Sequence, residues 1–166
     1  MMEIIYRGRR LSVEKSVYLF PDGTERERVV IHPSHAVTIL PVEGDVCYLI
    51  RQYRFAIDEY LFEAPAGTMD PGESPEATAR RELQEETGLT AGRLIPHGFI
   101  YTTPGFTTEK LYLFEARDLS SPALQKLDDD EHIELLQLPV DEVRNMANDG
   151  RIHDAKTICL IHLCLG

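Results

Sequence analysis

The stretch GTMDPGESPEATARRELQEETGL, residues 67–89, decides the reading of this chain. Ser74, Pro75 and Glu76 form a helix start: a hydroxyl cap, a proline at the first helical position and an acid in the first turn. Gly88 forms the stop, because glycine takes the left-handed turn that follows a last helical residue. Ala77, Ala79 and Leu83 between them are good helix formers. Glu82, Glu85 and Glu86 then fall at i, i+3 and i+4, so three carboxylates project from one helical face. Like charges this close repel, and they are tolerated on a solvated face or where a divalent cation holds them together. Hard cations such as Mg²⁺ take oxygen ligands and keep water or substrate phosphate in their remaining positions. Arg81 precedes Glu85 by one helical turn and can hold a carboxylate in place. Gly67 and Gly72 bracket a turn that can bring Glu73 and backbone carbonyls toward the same ions.

An isolated ExxEE cluster is more often a solvated helix face than a metal site. The whole array is far more specific. It resembles the Nudix box, G-x5-E-x7-R-E-U-x-E-E-x-G-U with U aliphatic. Gly67, Glu73, Arg81, Glu82, Glu85, Glu86 and Gly88 fill every fixed position, and Leu83 and Leu89 fill the aliphatic ones. With fixed residues at roughly 7% background each, chance supplies such a match on the order of once in 10⁸ starting positions. The resemblance implies hydrolysis of a nucleoside diphosphate linked to another moiety, with Mg²⁺ or Mn²⁺. It implies that Glu82, Glu85 and Glu86 are metal ligands and that the Ala66 carbonyl is a further one. Arg81 takes the part of the carboxylates' partner at the catalytic centre, and Glu73 a structural part.

Composition limits the alternatives. A chain of 166 residues suits one domain with a small appendage. No apolar run approaches the ~18–20 residues of a membrane span, and the N-terminus lacks the apolar stretch of a signal peptide. Cys47, Cys159 and Cys164 are odd in number and sit in apolar contexts, which predicts reduced core residues in a cytoplasmic protein. A net charge of −11 argues against general nucleic-acid binding, which needs a basic footprint. A small phosphorylated ligand needs only local arginines and a cation.

Residues 1–34 read as a separate antiparallel unit of two or three strands, with strands at 11–20 and 26–32 around the turn Pro21-Asp22-Gly23-Thr24. Strands so few are marginal alone, so the unit is expected to pack on the main domain or on a second subunit. Residues 35–166 form the main domain. Runs 36–41 and 46–53 make a hairpin around Glu43-Gly44-Asp45. Further strands are expected at 60–64, 93–101, 110–116 and 132–138, with helices at 140–149 and 155–165, the last buried nearly all round. Strands, one central helix, more strands and two helices fit an α+β or layered α/β/α sandwich on a mixed sheet, and the family resemblance implies the latter.

A finer resemblance rests on RQYR (51–54), FEAPAG (62–67) and TTPGFTTE (102–109). These segments are similar to those of bacterial and archaeal ADP-ribose pyrophosphatases, several of which carry a proline where Pro104 stands. That subgroup's substrate contacts then fall on Arg51, Arg54, Met69, Pro104 and Glu109. In that group the N-terminal strands exchange between subunits, which implies a homodimer. A catalytic glutamate follows the last sheet segments, and here the stretch is Asp128-Asp129-Asp130-Glu131. Glu131 matches the residue that helps hold metal. Asp129 falls near the base position but has a shorter arm, so the base is Asp129, Glu131 or a box glutamate. Phe106, Tyr101 and Tyr18 are candidates for stacking on adenine. Hydrolysis of another nucleoside diphosphate sugar or a dinucleoside polyphosphate is the alternative activity. A non-catalytic ADP-ribose sensor is disfavoured, because such proteins lose box carboxylates and gain a DNA-binding domain.

Overall fold

Leu111 and Leu113 enter one apolar cluster, whereas Phe114 and Ala116, offset by one residue, enter another. Successive side chains of a strand point to opposite faces, so a strand that buries both faces lies in a sheet covered on both sides. The computed structural model, which describes residues 2–120 and 132–166, has this layered form. The first cluster lies under α2 (Val140–Asn148) and α3 (Ala155–Leu165), through Val143, Met146, Leu160, Ile161 and Leu165. The second lies under α1 (Pro75–Thr87), through Ala79 and Leu83.

Between them runs a mixed sheet built from β4 (Ala36–Glu43), β5 (Val46–Arg54), β6 (Glu59–Glu63), β7 (Ala66–Thr68), β8 (Thr90–Tyr101), β9 (Lys110–Ser120) and β10 (Ile133–Pro139). The main path is β10-β5-β4-β9-β8, with β6 on β5 and β7 on β4. Among the described residues of this sheet, β4 and β9 run parallel and the other pairs are antiparallel. The fold is the expected α/β/α sandwich.

One feature of the pairing positions the site. β4 and β5 leave their turn paired only at Val42–Cys47 and Glu43–Val46, then part. β6 lines the opening along β5, and β7 lines it along β4. The chain crosses between them at Pro65, whose carbonyl accepts from the Ile39 N–H (2.8 Å) and the Thr38 hydroxyl (3.2 Å). The residues that enter α1 therefore start inside a split in the sheet.

Helix α1 begins and ends as its sequence dictates. Ser74 accepts from the Ala77 N–H at 3.2 Å, and Pro75 occupies the first turn. Gly88 takes φ 71°, and its N–H donates to the Gln84 carbonyl at 2.8 Å. Helix α3 differs from expectation. Thr157, Leu160, Ile161 and Leu165 are buried, but Leu163 is 51% exposed. The helix covers one face of the sheet, so its apolar residues on the far side meet solvent.

The first three strands, β1 (Glu3–Arg7), β2 (Leu11–Leu19) and β3 (Glu25–Pro33), form their own antiparallel sheet. It meets the loop between β8 and β9 through Ile31, whose N–H donates to the Phe106 carbonyl (2.8 Å) and whose carbonyl accepts from the Thr108 N–H (3.1 Å).

Leu83 is fully buried between α1 and the sheet. Leu83→Ala should lower unfolding stability by about 2–5 kcal/mol in urea titrations. An effect near zero would mean that α1 is not packed on the sheet as described.

Candidate active site

The buried residues of α1 are apolar (Ala79, Leu83), acidic (Glu82, Glu86) and hydroxylic (Thr78, Thr87). Glu82 and Glu86 are 8% and 2% exposed, beside the fully buried Ala79 and Leu83. The Glu85 side chain is 39% exposed. Burying carboxylates is costly unless their charge is met. Arg81 meets much of it. Its Nη1 donates to Glu82 Oε1 (2.7 Å) and to Glu85 Oε2 (2.9 Å). Its Nε and Nη2 donate to the two oxygens of Glu73 (3.2 and 3.1 Å), and Nη2 also to the Thr68 carbonyl (3.2 Å). Glu73 accepts further from the Thr78 hydroxyl (2.8 Å) and the Asp70 N–H (3.2 Å). The Arg81 hydrogen bond, above all, holds the Glu73 carboxyl down to about 2, against the opposing effect of desolvation.

Strand β7 supplies the other wall. Pro65 and Met69 direct backbone groups toward β4, through Ile39 and His35. By alternation, Ala66 and Thr68 direct theirs away from it. The Ala66 N–H donates to Glu86 Oε2 at 3.0 Å, and its carbonyl lies on that same edge. Gly67 sits against the Glu82 carboxylate so closely that a Cβ would overlap it. The result is a set of hard oxygen donors in which the carboxylates of Glu73, Glu82 and Glu85 share the Arg81 guanidinium, with the Glu86 carboxylate beside them on the Ala66 N–H. This donor chemistry fits a hard divalent cation, which would take up the excess negative charge.

The flanking candidates have varied surroundings. Arg54 forms a bidentate pair with Glu63 (2.6 and 2.5 Å), and Lys156 also contacts Glu63. Burial pushes the Glu63 carboxyl up, but Arg54 and Lys156 outweigh it and leave it below the usual range. Arg54 is thus tied to a fully buried carboxylate, although the charge of Glu86 also acts on it. Arg51 is half exposed, stacks over the Tyr60 ring at 4.4 Å and lies 3.6 Å from Glu134. Met69 packs on the α1 cluster. Pro104 is exposed, and Glu109 accepts from the Thr102 hydroxyl (2.7 Å) across the base of its loop. That loop runs into β9 beside Ala36, which also faces Thr68, so it lies at the same end of the sheet as the box. Phe106 and Tyr101 are half exposed there, whereas Tyr18 donates to Glu14 within the N-terminal sheet. Asp129 and Glu131 lie outside the described residues.

The family profile described as NUDIX domain matches residues 30–161. The chain belongs to the Nudix hydrolase family. An ADP-ribose pyrophosphatase of Bacillus subtilis (strain 168) is 34% identical over 93% of this chain and 85% of its own length. A methanol dehydrogenase activator of Bacillus methanolicus is 32% identical over 96% of this chain and 87% of its own. A crystal structure of an ADP compounds hydrolase superposes with a TM-score of 0.86 at 28% identity, covering 98% of this chain and 89% of that one. Nudix hydrolases generally use divalent metal ions, in keeping with the donor set on α1.

Glu63 and Lys156 escaped the sequence reading. The strand expected at 60–64 takes in Glu63, but nothing in it says that this carboxylate meets a lysine on a helix near the other end of the chain.

Two outcomes follow for the Nudix site. Gly67→Ala should displace the Glu82 carboxylate and lower turnover on the order of 10²-fold with little loss of fold, since a 1 Å misplacement is enough for that. Wild-type turnover in this variant would contradict the close approach. Glu73 is depressed in the folded state, so its stabilising contribution is present above its unfolded pKa and is lost as pH falls toward about 2. The stability difference between the wild-type chain and Glu73→Gln should therefore shrink between pH 5 and 2 in denaturant melts. A difference independent of pH would contradict the Arg81–Glu73 pair.

Proposed function

We propose that this Nudix hydrolase cleaves the pyrophosphate bond of ADP-ribose with Mg²⁺, giving AMP and ribose 5-phosphate. The reading is carried by α1, where Glu82, Glu85 and Glu86 gather more negative charge than Arg81 offsets. A divalent cation there would polarise a phosphoryl oxygen, ease deprotonation of water and neutralise the departing phosphate. Glu82, Glu85, Glu86 and the Ala66 carbonyl are the ligands proposed for it, with Glu131 as a further one. Arg81 keeps the carboxylates converged, and the split between β4 and β5 holds the Ala66 edge against them. Glu85 is the box glutamate most open to water, so it joins Asp129 and Glu131 as a candidate to take the proton.

ADP-ribose is favoured over other nucleoside diphosphates by the Bacillus subtilis relative's name and by the Pro104 loop lying at the box end of the sheet. Arg51 is available for a phosphate, because its exposed 3.6 Å ion pair with Glu134 holds it weakly. Arg54, Met69, Pro104 and Glu109 complete the proposed substrate contacts. Residues 1–34 are proposed as a dimerisation unit and residues 35–166 as the hydrolase domain. The support is the exposed apolar side chains of the small sheet, among them Tyr6, Val17 and Leu19. Three free cysteines suit a cytoplasmic setting.

A panel of ADP-ribose, other nucleoside diphosphate sugars (a guanine one included) and dinucleoside polyphosphates tests the substrate. ADP-ribose should have the highest kcat/KM with Mg²⁺, and chelator should abolish turnover. A better substrate elsewhere in the panel would contradict the specificity, and activity indifferent to chelator would contradict the metal. Glu85→Gln should lower kcat on the order of 10²-fold or more. Sedimentation should give twice the chain's mass, and a monomer would contradict the dimer.

A further inference from the structure

A second cluster of ligating side chains lies away from the box. β9 presents Glu115 on the same face as Leu111 and Leu113, the face covered by α2 and α3. The box lies on the other face, under α1. Beside Glu115, β8 carries a bulge. Pro96 faces Phe114, but Phe99 faces Tyr112, so β8 holds one extra residue. Gly98 takes φ 85° within it, and His97 is turned to Glu115. The third group is Cys164, in the last turn of α3.

The ligating atoms of His97, Glu115 and Cys164 all lie within 4.8 Å of one another. His97 Nε2 and Glu115 Oε2 are 3.3 Å apart. Tetrahedral zinc bonds of about 2.0–2.2 Å set neighbouring nitrogen and oxygen ligands about 3.4 Å apart. Within that 4.8 Å the sulfur needs to close by at most about an ångström to reach its bond length of about 2.3 Å. Arg117 Nε donates to the other carboxylate oxygen, Oε1, at 2.5 Å. It thereby orients Glu115 as outer partners orient a ligating carboxylate. Cys164 and Arg117 also line a cavity of about 370 Å³ beside α2, which gives an ion and its water access to the thiol.

We propose that His97, Glu115 and Cys164 form a second metal site, for a borderline-soft divalent cation of the Zn²⁺ class, on the sheet face opposite the box. Sulfur and imidazole select such an ion over Mg²⁺, so the two sites differ in their metal. Burial, and then the charge of Glu115, push the Cys164 thiol up to about 12, so an ion bound there has to displace its proton. Ligation ties α3 to β8 and β9 and stabilises the fold without touching the hydrolytic centre.

Co²⁺ tests this on the full chain, with excess Mg²⁺ to occupy the box. One equivalent should produce a thiolate-to-cobalt charge-transfer band that Zn²⁺ displaces. Cys164→Ser should abolish the band, His97→Ala should weaken Co²⁺ binding at least tenfold, and Glu85→Gln should leave both unchanged. Zn²⁺ should raise the Tm of the wild-type chain and not that of Cys164→Ser. Absence of a thiolate band in the wild-type chain overturns the proposal, whatever the variants' folding. So does a band that survives Cys164→Ser, binding unchanged in His97→Ala, or a band lost in Glu85→Gln.

Discussion

The Arg81 guanidinium holds together side chains that would otherwise separate. It reaches Glu82 and Glu85 on its own helix, Glu73 ahead of that helix, and the Thr68 carbonyl at the end of β7. Carboxylates on one helical turn repel, and two of these are buried where repulsion is least screened. Arg81 removes part of that cost and spends its donors in doing so. The charge left over is what makes the place attractive to a cation. The same arrangement explains the rest of the box. Gly67 has no side chain because the Glu82 carboxylate occupies that space, and Glu73 is needed to fix Arg81 from the other side.

Around this contact the fold does two things. The parting of β4 from β5 opens a gap in which the chain can reverse at Pro65, so β7 and α1 meet inside the sheet's own outline. Apolar packing of Ala79 and Leu83 on Val37, Ile39, Phe114 and Ala116 then pins α1 at a fixed height above β7. Leu83 and the two buried glutamates share one stripe, so the packing that stabilises the helix also fixes where the carboxylates stand. The Glu63–Arg54–Lys156 group binds β5, β6 and α3 just upstream, and Thr157 adds a 2.7 Å hydrogen bond to the Ala64 N–H. The segment feeding the site is therefore held from both layers.

Much of this was legible in the residues. The ends of α1 follow from Ser74, Pro75 and Gly88, whose effects are local, and the box spacing placed its acids on one face. The β4–β5 turn and the β2–β3 turn were readable from Gly44 and from Pro21 to Thr24 for the same reason. Long-range features were not readable. β7 has three residues, too few for any period to show. The strand at residues 3–7 carries no alternation in burial, since all five residues are exposed. The pairing of Arg54 with Glu63 was not readable either, because the two meet only across the β5–β6 pairing. The bulge that turns His97 toward Glu115 depends on register, which single residues do not announce. Apolar residues on every side of α3 suggested full burial, but Leu163 faces out.

The central claim is that α1 and the Ala66 edge together grip a divalent ion. Anomalous diffraction from crystals grown with Mn²⁺ tests it most directly. A peak bounded by Glu82, Glu85, Glu86 and the Ala66 carbonyl is the expected result. Crystals of active protein with manganese bound elsewhere and nothing between those four groups would contradict it.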